Sequence, residues 1–532
     1  MKKVANFLLT IIFITFATIL NGKNCCSCEC GTKSRTTFAV RQQFQAGTPE
    51  YITAFRDRML AREDGRNGSF QVSVFGGKST EKRKLATYFT PFCKTCLHVK
   101  SGEFNGSEDI ISQHFNVMTT GDDEFESIIS LCPELSVFGI GLTYRQAINC
   151  LYDNDENDPN KKHFWIEISA PITRVETNMC LKENILSTKE DPAVIDGLNQ
   201  TFYANMKDAF NQKAWNFGKI NGDCGCSKWG LADITFKAGY DLLRKDCCFL
   251  DAYIGFLAPT GNRRCAQYVF EPMVGHAKHW GLIYGSSLRF DVWKDEDKDR
   301  ILETVFDNHS QYLFKRTECR SFDLKCKPWS RYMEVYENKN QALEAYNISE
   351  TNPQLNDVYL NLSSPGINVF TQPVCVSPQL SCSSNVALIY TSKKFRGEVG
   401  YNFYARQSEC IEMPCWKNCA ALKAARGAGY TNRLRDINSN LEGTTAPYKP
   451  DAFDTTSAVA QYNESIIKLE DIDLESAAHP YFFSHTFYLS LGGKWDERDY
   501  PIFIDLGGSY EFGCENAILN RWTLWFKTGC SF

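Results

Sequence analysis

The sequence predicts an all-β chain: a transmembrane, antiparallel, up-and-down β-barrel of about sixteen strands with long external loops and one or two loop helices. Three observations carry that expectation. Long stretches alternate large apolar residues with small or polar ones at a period of two, the N-terminus reads as an export signal, and beyond that signal no apolar run reaches the roughly 18 residues of a helical span. Composition sets the frame: of 532 residues, 43% are apolar and 23% charged, which is globular, and the net charge of −5 shows no basic excess for nucleic acid. A mean hydropathy of −0.34 excludes a bundle of membrane helices.

Export comes first in chain order. Lys2 and Lys3 precede the apolar run Val4 to Leu20 and the polar stretch Asn21 to Asn24, the charge and length of a secretory signal. Cleavage near Gly22 gives residues 1–22 as signal, 23–34 as a cysteine-rich segment and 35–532 as one barrel domain; an uncleaved anchor is the alternative.

The strands follow. Phe138, Ile140, Leu142 and Tyr144 alternate with Val137, Gly139, Gly141 and Thr143. Phe236, Ala238, Tyr240 and Leu242 oppose Lys237, Gly239 and Asp241, and Leu250, Ala252, Ile254 and Phe256 oppose Asp251, Tyr253 and Gly255. Over Trp280 to Val292 the smaller or charged side carries Gly281, Gly285, Arg289 and Asp291. Near the end, Val399, Tyr401 and Phe403 oppose Gly400, Asn402, Tyr404 and Arg406, whereas Ile504, Leu506 and Tyr510 oppose Asp505, Gly507 and Glu511. In a barrel one side faces lipid and the other the lumen, so Lys237, Asp241, Asp251, Arg289, Asp291, Arg406, Asp505 and Glu511 are the candidate pore-lining residues, and the opposing glycines spare the lumen from crowding. Aromatic residues at strand ends, Trp280, Trp522, Tyr510 and Phe512, fit interfacial girdles.

All 23 cysteines lie beyond the signal, and export makes disulfides their expected state. The candidates are the cluster Cys25, Cys26, Cys28, Cys30 and the close pairs Cys93/Cys96, Cys224/Cys226, Cys247/Cys248 and Cys415/Cys419. Zinc is the lesser alternative, because no second pair follows Cys93 and Cys96 at ligand spacing. If every other cysteine is paired within the chain, the odd total leaves at least one thiol free or bonded to a neighbouring molecule.

The C-terminal run from Asn520 to Phe532, with Trp522, Leu524, Phe526 and the terminal Phe532, resembles the last strand of Gram-negative outer-membrane barrels; Cys530 departs from the aromatic usual two residues before the end. The segments 257–262, 270–272 and 506–512 are similar to hairpins of large porin-like barrels of intracellular bacteria, the cysteine-rich, disulfide-linked chlamydial major outer-membrane proteins among them. The resemblance covers residues 35–175 and 228–532 loosely. It implies outer-membrane localisation, Trp522, Leu524, Phe526 and Phe532 as the signal to the barrel assembly machinery, and membrane lipid and small hydrophilic solutes as partners.

Between strands, Leu198, Phe202, Met206 and Phe210 recur at helical spacing, so residues 195–216 read as an amphipathic helix, either capping the barrel or folded into its lumen as a constriction. Residues 415–478 read as a long loop with basic residues between 415 and 440, and 340–365 as another loop. Asp295 to Asp299 reads as a charged hairpin turn. His276 and His279 read as surface histidines, and seven Asn-x-Ser/Thr sites would matter only in a eukaryotic secretory route. No nucleophile elbow, P-loop or zinc-protease motif occurs, so neither an enzyme nor a cofactor is expected. The expected function is a porin-like channel for passive diffusion of solutes and ions that also stiffens the envelope through disulfides. The alternatives are a non-conducting structural or adhesive surface barrel filled by its own excursions, and a secreted, soluble, disulfide-rich glycoprotein.

Overall fold

Strands with two unlike faces bury one and expose the other, and a sheet of such strands is free of edges only when its last strand meets its first. The computed structural model describes residues 34–53, 68–100, 109–117, 125–148, 164–187, 203–245, 247–297, 299–325, 327–338, 340–341, 364–416, 420–422, 466–495, 500–514, 516 and 519–532. The signal, the cysteine-rich segment up to residue 33, and most of 342–363 and 417–465 lie outside them.

Twelve long strands close into a barrel: β1 (Gly68–Ser79), β2 (Glu134–Ala147), β3 (Phe164–Asn178), β4 (Ile234–Lys245), β5 (Cys248–Ala258), β6 (Gly281–Asp295), β7 (Arg300–Leu313), β8 (Gln379–Ser392), β9 (Phe395–Arg406), β10 (Phe482–Trp495), β11 (Ile502–Cys514) and β12 (Arg521–Ser531). Each pairs antiparallel with its neighbours in chain order, and β1 pairs with both β2 and β12. The segment Cys226–Leu231 pairs with the second half of β3 while β4 pairs with its first half, so the two share one place in the wall.

The count of about sixteen is thereby corrected to twelve. Period-two alternation marks any sheet with one buried face, and short strands outside the wall carry it too. Cys96–Lys100, Glu126–Ser130 and Lys182–Ser187 form one small sheet with Ile110–Ile111, and Arg316–Ser321, Thr371–Ser377 and Cys410–Glu412 form another.

Face assignment follows the alternation. Leu506, Leu524 and Ile254 are 64%, 59% and 59% exposed, with Ile140, Val399, Leu388 and Leu489 beside them on the outer surface. A water-soluble barrel would not hold such a continuous apolar band outward. Exposed aromatics rim it at both ends, Trp522, Phe512 and Trp280 at one and Phe164, Trp293 and Phe395 at the other. Among the described residues no helix is long and apolar enough to cross a membrane.

The two ends differ. At the end holding the C-terminus, β4–β5, β6–β7 and β8–β9 are joined by short turns, including the charged turn after Asp295. At the other, long insertions fold into a cap with two apolar cores, one around Phe89, Phe115, Trp215, Trp329 and Tyr332, the other around Phe322, Val335, Phe370 and Val376. Of the helix expected over 195–216, residues 203–216 are described, and they hold one helical turn, Met206–Ala209, with the Asn205 side chain accepting from the Asp208 N–H at 2.8 Å. Met206 and Phe210 are buried in the cap core, so the described part of this stretch packs in the cap and not in the lumen, while Leu198 and Phe202 lie outside the described residues.

The seam joining first strand to last is tightened by the terminal residue. Phe532 and Gly68 exchange main-chain hydrogen bonds at 2.9 and 3.0 Å, and the Phe532 ring stacks on Tyr144 with centroids 6.2 Å apart. Deleting Phe532 is expected to lower the yield of folded, heat-modifiable barrel several-fold while export continues; gel migration with and without boiling, in full reductant, reads both, and an unchanged folded yield would contradict this role of the seam.

Candidate functional site: an occupied lumen

Polar and charged side chains facing inward from a closed sheet need partners, and water supplies them in an open pore. Here the chain supplies them. Residues 41–53 run inside the barrel instead of joining its wall, and nearly all are buried.

The segment enters from the cap. Ser34 donates to Asp323 at 2.7 Å, Thr36 to the Ser321 carbonyl at 2.7 Å, and Phe38 packs against Tyr88, Phe270 and His479. Deeper, Arg41 donates to Asn402 at 2.8 Å, lies 3.6 Å from Glu511 and sits over the Tyr404 ring. Gln43 donates to Thr523 at 2.5 Å, and the Gln45 amide meets Gln311. The chain then turns at Gly47, whose φ of +96° is the left-handed region that favours glycine. Its carbonyl accepts from Ser383 and from Asn402 at 3.1 Å. Within the helical turn Pro49–Ile52, the Tyr51 hydroxyl donates to Glu167 and accepts from Lys237 at 2.9 Å, and Lys527 donates to the Tyr51 carbonyl at 3.1 Å.

The inner wall is cross-linked by charge. Lys237 pairs with Glu167 at 2.8 Å, and Arg145, stacked 3.7 Å over Trp165, pairs with Asp251 at 3.0 Å. Further round, Arg396 bridges Glu398 at 3.1 Å and Asp505 at 3.4 Å, and Arg521 pairs with Glu511 at 2.6 Å. These residues are all buried.

Each sequence-predicted lumen residue can now be placed. Lys237, Asp241, Asp251, Asp505 and Glu511 face inward and are buried in ion pairs, Asp241 with Arg244 at 3.3 Å. Arg289 is half-buried beside Glu303 at 3.5 Å, and Asp291 is half-buried toward the short-turn end. Arg406 sits at the capped rim, bonded to Glu409 at 2.7 Å. Seven of the eight are tied by ion pairs to other residues of the wall or cap, and Lys237 and Glu511 also meet Tyr51 and Arg41 of the N-terminal segment. Glycines also differ from expectation: a Cβ at Gly239 would lie 2.1 Å from Trp165, at Gly400 2.2 Å from Tyr488 and at Gly141 2.2 Å from Phe44. They leave room for rings, not for solvent. Sequence reasoning missed Arg41, Gln43, Phe44, Gln45 and Tyr51; the signal was their polar, uncharged-rich setting around the turn Gly47-Thr48-Pro49, which fits neither strand alternation nor a helix.

Among the described cysteines no disulfide is formed, so the pairs Cys93/Cys96, Cys224/Cys226 and Cys247/Cys248 are not joined and Cys415 has no described disulfide partner. Cys247 and Cys248 are successive residues, and successive side chains of an extended chain point to opposite faces, so closeness in sequence does not make them a pair. Cys25, Cys26, Cys28, Cys30 and Cys419 lie outside the described residues. Trp522, Leu524 and Phe526 point outward. His279 is not a surface histidine: it is buried, 2.5 Å from Glu318, and His276 lies 2.7 Å from Asp233. Among the described residues no group of His, Cys, Asp or Glu suits a metal ion.

Over the lumen the cap holds a buried ionic cluster. Glu318 pairs with Arg320 at 3.0 Å and Arg264 at 3.4 Å, while Glu409 pairs with Arg320 at 3.1 Å and accepts the His479 N–H at 3.1 Å. Burial raises the Glu318 carboxyl, but Arg320, His279 and Arg264 outweigh it and hold it at about 2. Glu409 is held well below the carboxylate range against the same burial, by Arg320 and Arg406. Burial and then Arg406 push the His479 imidazole down to about 3.

No family model matches the chain, and no curated protein does. Among solved structures it is similar to an outer membrane channel from Pseudomonas putida F1, at 10% identity and a TM-score of 0.36 over 87% of this chain and 96% of the other. It is also similar to the transport unit of the autotransporter AIDA-I from Escherichia coli, at 5% identity and a TM-score of 0.34 over 91% and 94%. A Pseudomonas aeruginosa FadL homologue matches at 10% identity and a TM-score of 0.27 over 87% and 89%. None of these three is a chlamydial protein.

Two expectations follow. Gly141→Ala should destabilise docking of the lumen segment by about 1–3 kcal/mol through overlap with Phe44, read as faster trypsin cleavage after Arg41, and Phe44→Ala should restore tolerance of the alanine; an unchanged cleavage rate for Gly141→Ala would contradict the placement. The cap should also weaken in acid. His479 has a folded value below its ordinary 6.5, so the unfolded chain takes up its proton first as pH falls below about 6.5, and the depressed carboxylates add their loss below the ordinary 4.5 as pH falls toward 2. Near-ultraviolet circular dichroism of the cap tryptophans should show stability falling from pH 6.5 to pH 2; a rise over that window would refute the burial of His479 and Glu318.

Proposed function

We propose that this protein is an outer-membrane β-barrel channel that rests closed, its lumen held by residues 41–53 and its mouth by the folded cap. The observation that carries this reading is the N-terminal segment bonded along the inner wall, from Arg41 on Asn402 to Tyr51 on Lys237. It supports a plug because its contacts are polar and its apolar anchors are few, Phe44 and Tyr51 being the main ones. A permanent core would be mostly apolar. Membrane lipid covers the outer band, the terminal strand with Phe532 addresses the assembly machinery, and small hydrophilic solutes pass when the segment leaves. The charges then exposed, Lys237, Arg145, Arg396 and Arg521 with Glu167, Asp251, Asp505 and Glu511, are mixed, so selectivity between ions is weak. No catalytic role is assigned to any residue.

A second reading has its own support. The two apolar cores of the cap make a substantial folded body over the barrel mouth, which suits a surface scaffold or adhesive barrel that conducts nothing.

Conductance across a planar bilayer separates the two. The full-length protein is expected to be almost silent, and a variant with Arg41, Phe44 and Tyr51 all changed to Ala, shown to be a folded barrel by its heat-dependent gel shift, is expected to conduct in steps at least tenfold more frequent. Large steady conductance from the unaltered chain would refute the plug, and silence from the folded triple variant would establish the scaffold.

A further inference from the structure

Barrel and cap meet where two antiparallel strand pairs run into one another. Strands β2 and β3 pair with Glu134 opposite Asn178, and just beyond, in the cap sheet, Ser130 lies opposite Lys182. The two registers are the same one: moving two residues outward from either side puts Cys132 opposite Cys180. Residues 131–133 and 179–181 lack strand pairing of their own, and the Cys132 N–H donates to the Met179 carbonyl at 3.0 Å, one position off that register, but the two gaps are equal in length, so the registers on either side agree and Cys132 and Cys180 stand at the midpoints.

The side chains share a side. Leu131 and Pro133 on one strand, and Met179 and Leu181 on the other, are buried, the leucines and Met179 in the cap core. With a period of two this turns Cys132 and Cys180 together to the opposite, half-buried face. Cys180 has a φ of +48°, a left-handed conformation uncommon away from glycine, and Asn178 holds it there by accepting the Cys180 N–H at 2.8 Å. Directly opposed residues of an antiparallel pair have Cα atoms about 4.5–5.5 Å apart, inside the roughly 4.4–6.8 Å range that disulfides span.

We propose that Cys132 and Cys180 form a disulfide that clamps the cap sheet to the barrel wall at the ends of β2 and β3. The acceptor is a disulfide-bearing oxidant, a protein or a low-molecular-weight disulfide. One of the two thiols, as thiolate, attacks a sulfur of that oxidant and releases its other half as a thiol. The second, also deprotonated, then displaces the mixed disulfide; one S–S bond has formed, one has broken, and the oxidant leaves as two thiols holding the two electrons and two protons. Among the close pairs with both members described none has this arrangement, and the partners stand 48 positions apart, which only register reveals. The clamp goes beyond the channel reading and holds for an open or a closed barrel.

Peptide mapping tests it directly, since trypsin releases each cysteine alone: Cys132 in the peptide from Ser101 to Arg145, Cys180 in the peptide from Val175 to Lys182. The full-length, detergent-folded protein is reduced, freed of reductant, exposed to glutathione disulfide, alkylated and digested. The expected result is one species with the summed mass of the two peptides less two hydrogens, and Cys180 alkylation at least fivefold lower than in the reduced control. In the Cys132→Ala variant, alkylation of Cys180 should return to the control level. Alkylation of both cysteines as separate peptides would overturn the proposal, and so would Cys180 joined to the peptide holding Cys224. Because the oxidant is added to purified protein, the outcome does not depend on where the chain resides.

Discussion

Charge facing into a closed sheet is the constraint on which the rest of this molecule depends. A barrel wall turns every second residue inward, and here the wall turns in Arg145, Glu167, Lys237, Asp251, Arg396, Glu398, Asp505 and Lys527, all buried. Such groups are tolerated only when paired, and breaking one buried pair by removing a partner costs about 3–5 kcal/mol. Tyr51 is therefore more than a filler. Its hydroxyl completes the Lys237–Glu167 pair while its carbonyl receives Lys527 from the far side, so one residue of the N-terminal segment joins β3, β4 and β12.

The same segment ties lumen to cap. Phe38 lies in the aromatic core formed with Tyr88, Phe89 and Phe270, three residues before Arg41 begins to bond the barrel wall. What closes the mouth and what fills the lumen thus share a single stretch of backbone. The turn at Gly47, fixed by Ser383 and Asn402, lets that stretch fold back against the wall before reaching Tyr51. Water could replace the hydrogen bonds of Gln43, Gln45 and Arg41 at small net cost, since an exchanged hydrogen bond contributes only about 1 kcal/mol. It could not replace the contacts of Phe38. The hold on the segment is accordingly strong in the cap and weaker in the lumen.

The wall was legible in the sequence because its physics is local: a strand in this barrel must alternate, so Leu506 and Leu524 outward and Asp505 and Lys527 inward follow from position alone. The number of strands was not, since Glu126–Ser130 and Thr371–Ser377 alternate just as well while packing in the cap. Lumen occupancy was illegible for a different reason. Lys237 reads identically whether water or Tyr51 stands opposite, and the partner lies 186 residues away in the chain. His279 misled in the same manner, its environment being set by Glu318 on another segment. Helical spacing of Met206 and Phe210 correctly marked a buried side but not the length of the helix, because aromatic contacts with Phe115, Trp215 and Trp329 hold that stretch after a single turn.

Hydrogen exchange of the detergent-folded, full-length protein measures the state of the lumen most directly. A lumen filled by residues 41–53 predicts that amides of this stretch exchange more slowly than those of the exposed turn after Asp295, with Tyr51 and Thr53, whose N–H groups bond within the helical turn, among the slowest. Exchange across 41–53 as fast as in that turn, from a barrel otherwise protected, would show the segment outside the lumen and the inner charges facing water.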